Sequence, residues 1–235
     1  MPSSDASMQQ NSSELKNKNK NNMATTCWSA ENATRAYLRT LKMGKKDKEP
    51  DSSEFISALA AGNNAQLIVM ACGGGQAESS IGALVAAANQ TGGSVVCIFP
   101  GHQELHSSRQ ALGLSYTDSI EFVLGDATTL LLNEYKGADF VLVDCEMEDK
   151  KAVLVSARRS ASKNGALVVG YNAIHCGPWF SNSNGMKVHF LPIGNGIMVS
   201  RIPPAKSHWI VEVDKCTGEE HVYRITSPRN KHIHV

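Results

Sequence analysis

No stretch of this 235-residue chain holds an apolar run approaching the roughly 18 residues that cross a bilayer. Excess charge is equally scarce. The 23 Lys and Arg against 22 Asp and Glu leave +1, too weak a field to gather nucleic acid or an anionic membrane. The six cysteines (Cys27, Cys72, Cys97, Cys145, Cys176, Cys216) never form a C-x-x-C pair, and most lie beside expected strands. That suits buried thiols in a reducing compartment, not a disulfide framework or a zinc site. The opening, MPSSDASMQQ, lacks a charged segment followed by an apolar one, so no secretory leader is expected. No internal repeat is visible. The expected compartment is cytoplasmic, with the nucleus open to a small chain bearing a Lys-rich tail.

What is present suits one soluble α/β domain. At 42% hydrophobic the chain can bury a sizeable core. Residues 1–24 are rich in Ser, Asn and Lys and read as a disordered tail, leaving 25–235 as the domain. Ser29 and Asn32 offer capping chemistry to a first helix, with Ala33, Ala36, Tyr37, Leu38 and Leu41 at helical spacing. After an exposed linker, KMGKKDKEP, Asp51 or Ser52 caps a second helix closed by Gly62. Both helices precede the first strand and are expected over the sheet or its ligand edge.

The stretch QLIVMACGGGQA, residues 66–77, is the most informative one: a strand, three glycines, then the helical ESSIGALVAAA. This puts backbone N–H groups at a positive helix terminus, where an anionic or carboxylate-bearing small molecule is held. Strands are expected at 66–71, 94–99, 120–124, 139–144 and 166–171, and helices at 77–90, 102–112, 127–134 and 148–162. Five parallel strands with intervening helices make a doubly wound sheet. Runs at 187–192 and 196–202 flank Gly194-Asn195-Gly196 and predict an antiparallel hairpin closing it. Residues 207–226 alternate apolar and polar about a KCTG turn, which predicts a second hairpin.

QLIVMACGGG, IEFVLGDA, ADFVLVDCE, ALVVGYNAI and FLPIGNGIMVSRI, over roughly residues 51–202, together resemble class I S-adenosylmethionine-dependent methyltransferases. The nearest likeness is to the metal-dependent O-methyltransferases of caffeoyl-CoA and catechols. The resemblance implies a Rossmann-like fold with S-adenosylmethionine as cofactor. The whole chain also resembles a plant family known only by a domain-of-unknown-function label, which implies fold and kingdom but no activity.

Carried over residue by residue, the resemblance makes Gly73, Gly75 and Ala77 the cofactor loop, and Asp126 with Ala127 the adenine contact. Asp126 equally suits a helix N-cap. Two acids of the pattern are missing. Ala71 and Cys72 stand where one ends the first strand, and Phe99-Pro100-Gly101-His102 closes the second, with Glu104 inside the next helix. Asp144 matches the first metal ligand, but the next two fall on Asn172 and Ala173, and the catalytic lysine falls on Met147. One carboxylate and one amide are a poor cage for magnesium or calcium, so no metal is expected. Glu146, Glu148 and Asp149 read as a solvated helix start.

His175 beside Cys176 offers a possible nucleophile–base pair, set against a packed loop anchored by Trp179 and Phe180. The candidate catalytic residues are therefore Asp144 and His175. Three functions stay open: a methyltransferase on a small-molecule substrate with degenerate cofactor and metal sites, a non-catalytic nucleotide or cofactor sensor, and a scaffold pairing through the 207–226 hairpin. A homo-oligomer is compatible with each.

Overall fold

A computed structural model describes residues 28–43, 51–73, 77–112, 119–174, 187–205, 207–213 and 219–226. Gly75, His175, Cys176, Trp179, Phe180, the expected tail and linker residues 44–50 lie outside them, while Lys42 and Met43 of the expected linker are helical. The elements run α1 (Ala30–Met43), α2 (Ser52–Gly62), β1 (Leu67–Ala71), α3 (Glu78–Thr91), β2 (Ser94–Phe99) and α4 (His102–Leu112). They continue with β3 (Ile120–Leu124), α5 (Ala127–Asn133), β4 (Phe140–Asp144), α6 (Lys150–Ser160), β5 (Ala166–Tyr171), β6 (Val188–Leu191) and β7 (Ile197–Ile202). β8 (Ser207–Val213) and β9 (Glu220–Thr226) pair only with each other, as a separate two-stranded sheet.

The main sheet has seven strands in the order β3-β2-β1-β4-β5-β7-β6. β1 to β5 are parallel, and β7 inserts antiparallel between β5 and β6. The central strands are apolar without interruption because helices cover both faces. Ile68, Met70 and Cys72 pack on the α1–α4 side, and Val69 and Ala71 on the α5–α6 side. Asp139 Oδ2 accepts from the N–H groups of Gln66 and Leu67 at 3.0 and 3.2 Å, pinning the start of β1 against β4.

Every residue of α3 from Ser80 to Ala88 is buried, since the sheet lies beneath it and α1 and α2 pack outside. Alanine and glycine on this helix admit that close double contact. The two leading helices thus form an outer layer over α3 rather than a cover for the ligand edge. α2 begins in a capping box: Asp51 accepts from the Ser53 N–H at 2.9 Å, and Glu54 accepts from the Asp51 N–H at 2.8 Å. In α1, Ala33 and Ala36 are buried and Tyr37 and Leu41 half-buried at the expected spacing, and one position departs. Leu38 is 47% exposed and Thr40 is buried in its stead, its hydroxyl donating to the Ala36 carbonyl at 3.0 Å. An internal partner for the hydroxyl is what makes that burial cheap.

Candidate functional site

In an open parallel sheet, ligands bind outside the carboxyl ends of the strands, where the order reverses. That point lies here between β1 and β4, whose chain neighbours diverge to opposite sides. A cleft of about 140 Å³ near Gln66, Asp139, Asn164 and Arg201 sits at the opposite, amino-terminal ends, away from this crevice.

Asp144 ends β4 directly beside Tyr171, its register partner at the end of β5. The carboxylate is 1% exposed and Tyr171 is 5% exposed. A charge so buried must be met by donors. Oδ1 accepts from the Glu146 N–H at 3.0 Å and from Asn172 Nδ2 at 3.2 Å. The Tyr171 phenol is packed at the end of the neighbouring strand, near enough to feel the charge of the same carboxylate. Burial, then the negative charge of Asp144, holds the Tyr171 phenol far above its usual range. No buried side-chain nitrogen or oxygen among the described residues lacks a partner.

The glycine turn rests on this cluster. A Cβ on Gly73 would lie 2.7 Å from Asp144 Oδ2 and 2.9 Å from Met147 Cγ, so the chain passes over the carboxylate only as glycine. Met147, at the expected lysine position, is buried beneath the turn. Cys72 precedes the turn; a hydrogen bond with Cys97, then burial, pushes its thiol well above the usual value. Cys72, Cys97 and Cys145 are all buried thiols that are not disulfide-bonded. Glu146, Glu148 and Asp149 are exposed, as a solvated acidic run would be.

Further along the edge, the Gly101 carbonyl accepts the first helical bond of α4, from Leu105 at 3.3 Å. A Cβ on Gly101 would lie 2.5 Å from Glu104 Oε2. Glu104 therefore folds back over the end of β2, beside the position where the sequence lacked an acid. The Gly-x-x-Glu interval has the spacing of a capping box, and that was the available signal. At the end of β3, Asp126 caps α5: Oδ1 accepts from the Thr128 N–H at 3.3 Å, and Oδ2 from the Thr129 N–H at 2.8 Å and its hydroxyl at 2.6 Å. These bonds, the Thr129 hydroxyl foremost, hold the exposed Asp126 carboxyl below its ordinary value. Ala127 is buried behind it and Ala77 opens α3.

Asp126, Glu104, Gly73 and Asp144 thus stand along one edge on four successive strands, β3, β2, β1 and β4. Three interstrand steps of about 4.8 Å separate the ends of that row by roughly 14 Å. The structure brings Asp144 together with Gly73, Tyr171 and Asn172, and sets Asp126 apart at the far end. Asn172 was legible only as a misplaced ligand. Its hydrogen bond to Asp144, and the left-handed backbone (φ 54°) that allows it, became visible with the fold.

This strand order and glycine turn define a Rossmann-like fold of the methyltransferase type. A family model described as "Protein of unknown function (DUF1442)" matches residues 24–225, and the chain belongs to that family. No curated protein matches the chain. Among solved structures, a methyltransferase from Geobacter sulfurreducens is similar at 20% identity and TM-score 0.54, covering 74% of this chain and 90% of that one. A candidate caffeoyl-CoA O-methyltransferase from Staphylococcus aureus aligns at 15% identity and TM-score 0.53, over 74% and 92% of the two chains. An SAH-bound methyltransferase from Podospora anserina aligns at 13% and 0.52, over 85% and 97%. At such identities the likeness establishes the fold.

Proposed function

We propose that this protein binds S-adenosylmethionine, or its demethylated product, along the carboxyl edge of the sheet and is a methyltransferase-like protein for a small-molecule substrate. The observation that carries this reading is Gly73 pressed on the end of β4. Its backbone lies flush on Asp144 and Met147 at the carboxyl end of β1, where the strand order reverses. Gly73 would meet the methionine part of the ligand, with Gly75 and Ala77 continuing the loop. Glu104 would accept from the ribose hydroxyls, and Asp126 with the Ala127 N–H would meet the adenine. A cofactor of this kind supplies an electrophilic methyl group; the chain's part is to hold and orient it.

A second reading, a sensor that binds without turnover, is favoured by one observation. Met147 occupies the lysine position, and a thioether moves no proton.

Calorimetric titration with S-adenosylhomocysteine, backed by a melting scan, tests both. At about 100 times the dissociation constant a native-state ligand adds roughly 2.7 kcal/mol, raising Tm by several degrees. Asp126→Ala is expected to weaken binding more than tenfold; unchanged affinity would leave Asp126 as a cap alone. No heat and no shift would retire both readings. If binding holds, labelled-methyl transfer to candidate acceptors separates enzyme from sensor.

A further inference from the structure

We propose that Asn172 stands in for a divalent cation at Asp144, so that the crevice is organised by hydrogen-bond donors and holds its ligand without metal. The inference rests on the preceding reading only for what occupies the crevice. In metal-dependent methyltransferases of the resembled kind, the Asp at this position meets a cation. A carboxylate buried to 1% exposure needs positive charge or donors opposite it, and here it has donors. They are the Glu146 N–H and Asn172 Nδ2.

The direction of the Asn172 amide decides the matter. A cation shared with Asp144 would require the amide oxygen to face it. Instead the nitrogen faces the carboxylate at 3.2 Å, and Oδ1 accepts from Asn195 Nδ2 at 3.4 Å. Reversing the amide would set oxygen against carboxylate and nitrogen against a donor, losing both bonds. The backbone holds the residue in place as well. The Ala173 N–H donates to the Gly196 carbonyl at 3.0 Å and the Ile174 N–H to the Asn195 carbonyl at 2.8 Å. Asn172 is thus a positioning residue that ties Asp144, and through it the Gly73 turn, to the loop between β6 and β7. The ligand count agrees: no group of three His, Cys, Asp or Glu residues converges among the described residues.

Titration of the purified full chain with Mn²⁺, followed by the paramagnetic signal of the free ion, tests the proposal. The wild-type protein is expected to show no saturable binding up to about 1 mM, the weak end of protein sites for hard cations. Asn172→Asp sets a second carboxylate against Asp144. It should melt below wild type in EDTA, bind one Mn²⁺ saturably and recover its Tm when the ion is added. Saturable binding of one Mn²⁺ to the wild type, abolished in Asp144→Asn, would overturn the proposal. So would a folded Asn172→Asp that gains no ion. Should that variant fail to fold, the wild-type titration against Asp144→Asn decides alone. Loss of S-adenosylhomocysteine binding would retire the ligand reading and leave the Mn²⁺ result standing.

Discussion

Tyr171→Phe removes one hydroxyl from a fully packed position and leaves the ring, so no cavity confuses the result. Asp144 then keeps the Glu146 N–H and Asn172 Nδ2 but loses the polar phenol beside it, at 1% exposure. Taking a polar neighbour from a buried charge costs roughly 1–3 kcal/mol, so a loss of about 2 kcal/mol is expected. For a chain of this size each kcal/mol moves Tm by about 2–4 °C, which gives a fall of about 4–8 °C. Urea unfolding followed by circular dichroism measures it. Tyr135→Phe is the control: that hydroxyl donates to Glu121 Oε1 at 2.7 Å in an exposed setting, and its loss should stay below about 0.5 kcal/mol. The pH dependence gives a second reading. Because the folded-state pKa of Tyr171 is raised, its contribution is complete below the unfolded value near 10 and declines as pH rises beyond it. Tyr171→Phe should lack that alkaline slope. A Tyr171→Phe variant as stable as Tyr135→Phe would refute the Asp144 cluster as described.

Gly73→Ala drives a methyl into Asp144 and Met147 and should destabilise by about 1–3 kcal/mol in urea, with Met147→Ala recovering only part of the loss. Unchanged stability would mean that the turn is not pressed on the carboxylate. Asp126→Ala should cost about 1 kcal/mol at neutral pH through the lost cap. Because the Asp126 pKa is depressed in the fold, its contribution is complete above the unfolded value and fades as pH falls below about 4. A pH-independent deficit in Tm would contradict that. Cys72, Cys97 and Cys145 should resist alkylation in the native protein and react once unfolded, as peptide mapping would reveal. Labelling at the rate of a surface thiol would refute their burial.

The sheet could be read from the sequence because its central strands are buried on both faces. Uninterrupted apolar runs such as Leu67–Ala71 and residues 140–143 follow directly from helices above and below. The closing hairpin announced itself through Gly194 and Gly196, which adopt the positive φ values of 54° and 85° that the turn demands. The site was legible only as separate letters. That Asp144 meets Tyr171 depends on the register between β4 and β5, which no local pattern encodes. That Glu104 returns to the end of β2 depends on its side chain turning back toward Gly101, a rotamer choice rather than a periodicity. In α1 the one departure, at Leu38, has the same root. Thr40 satisfies its own hydroxyl and can be buried where hydropathy favoured Leu38.

The groups around Asp144 share one property that bears on what this end of the crevice does. A general base needs a free lone pair and an acid needs a proton it can release near neutral pH. Oδ1 of Asp144 is met by two donors, and Oδ2 lies against Gly73. Tyr171 and Cys72 are both held protonated by burial and by their neighbours. Met147 has no proton to exchange. Gly73 rests on this internally satisfied carboxylate at the carboxyl end of β1. Such a floor favours retention and orientation of a bound molecule over proton transfer. An acceptor methylated here would have to bring its own nucleophilic electron pair to the crevice.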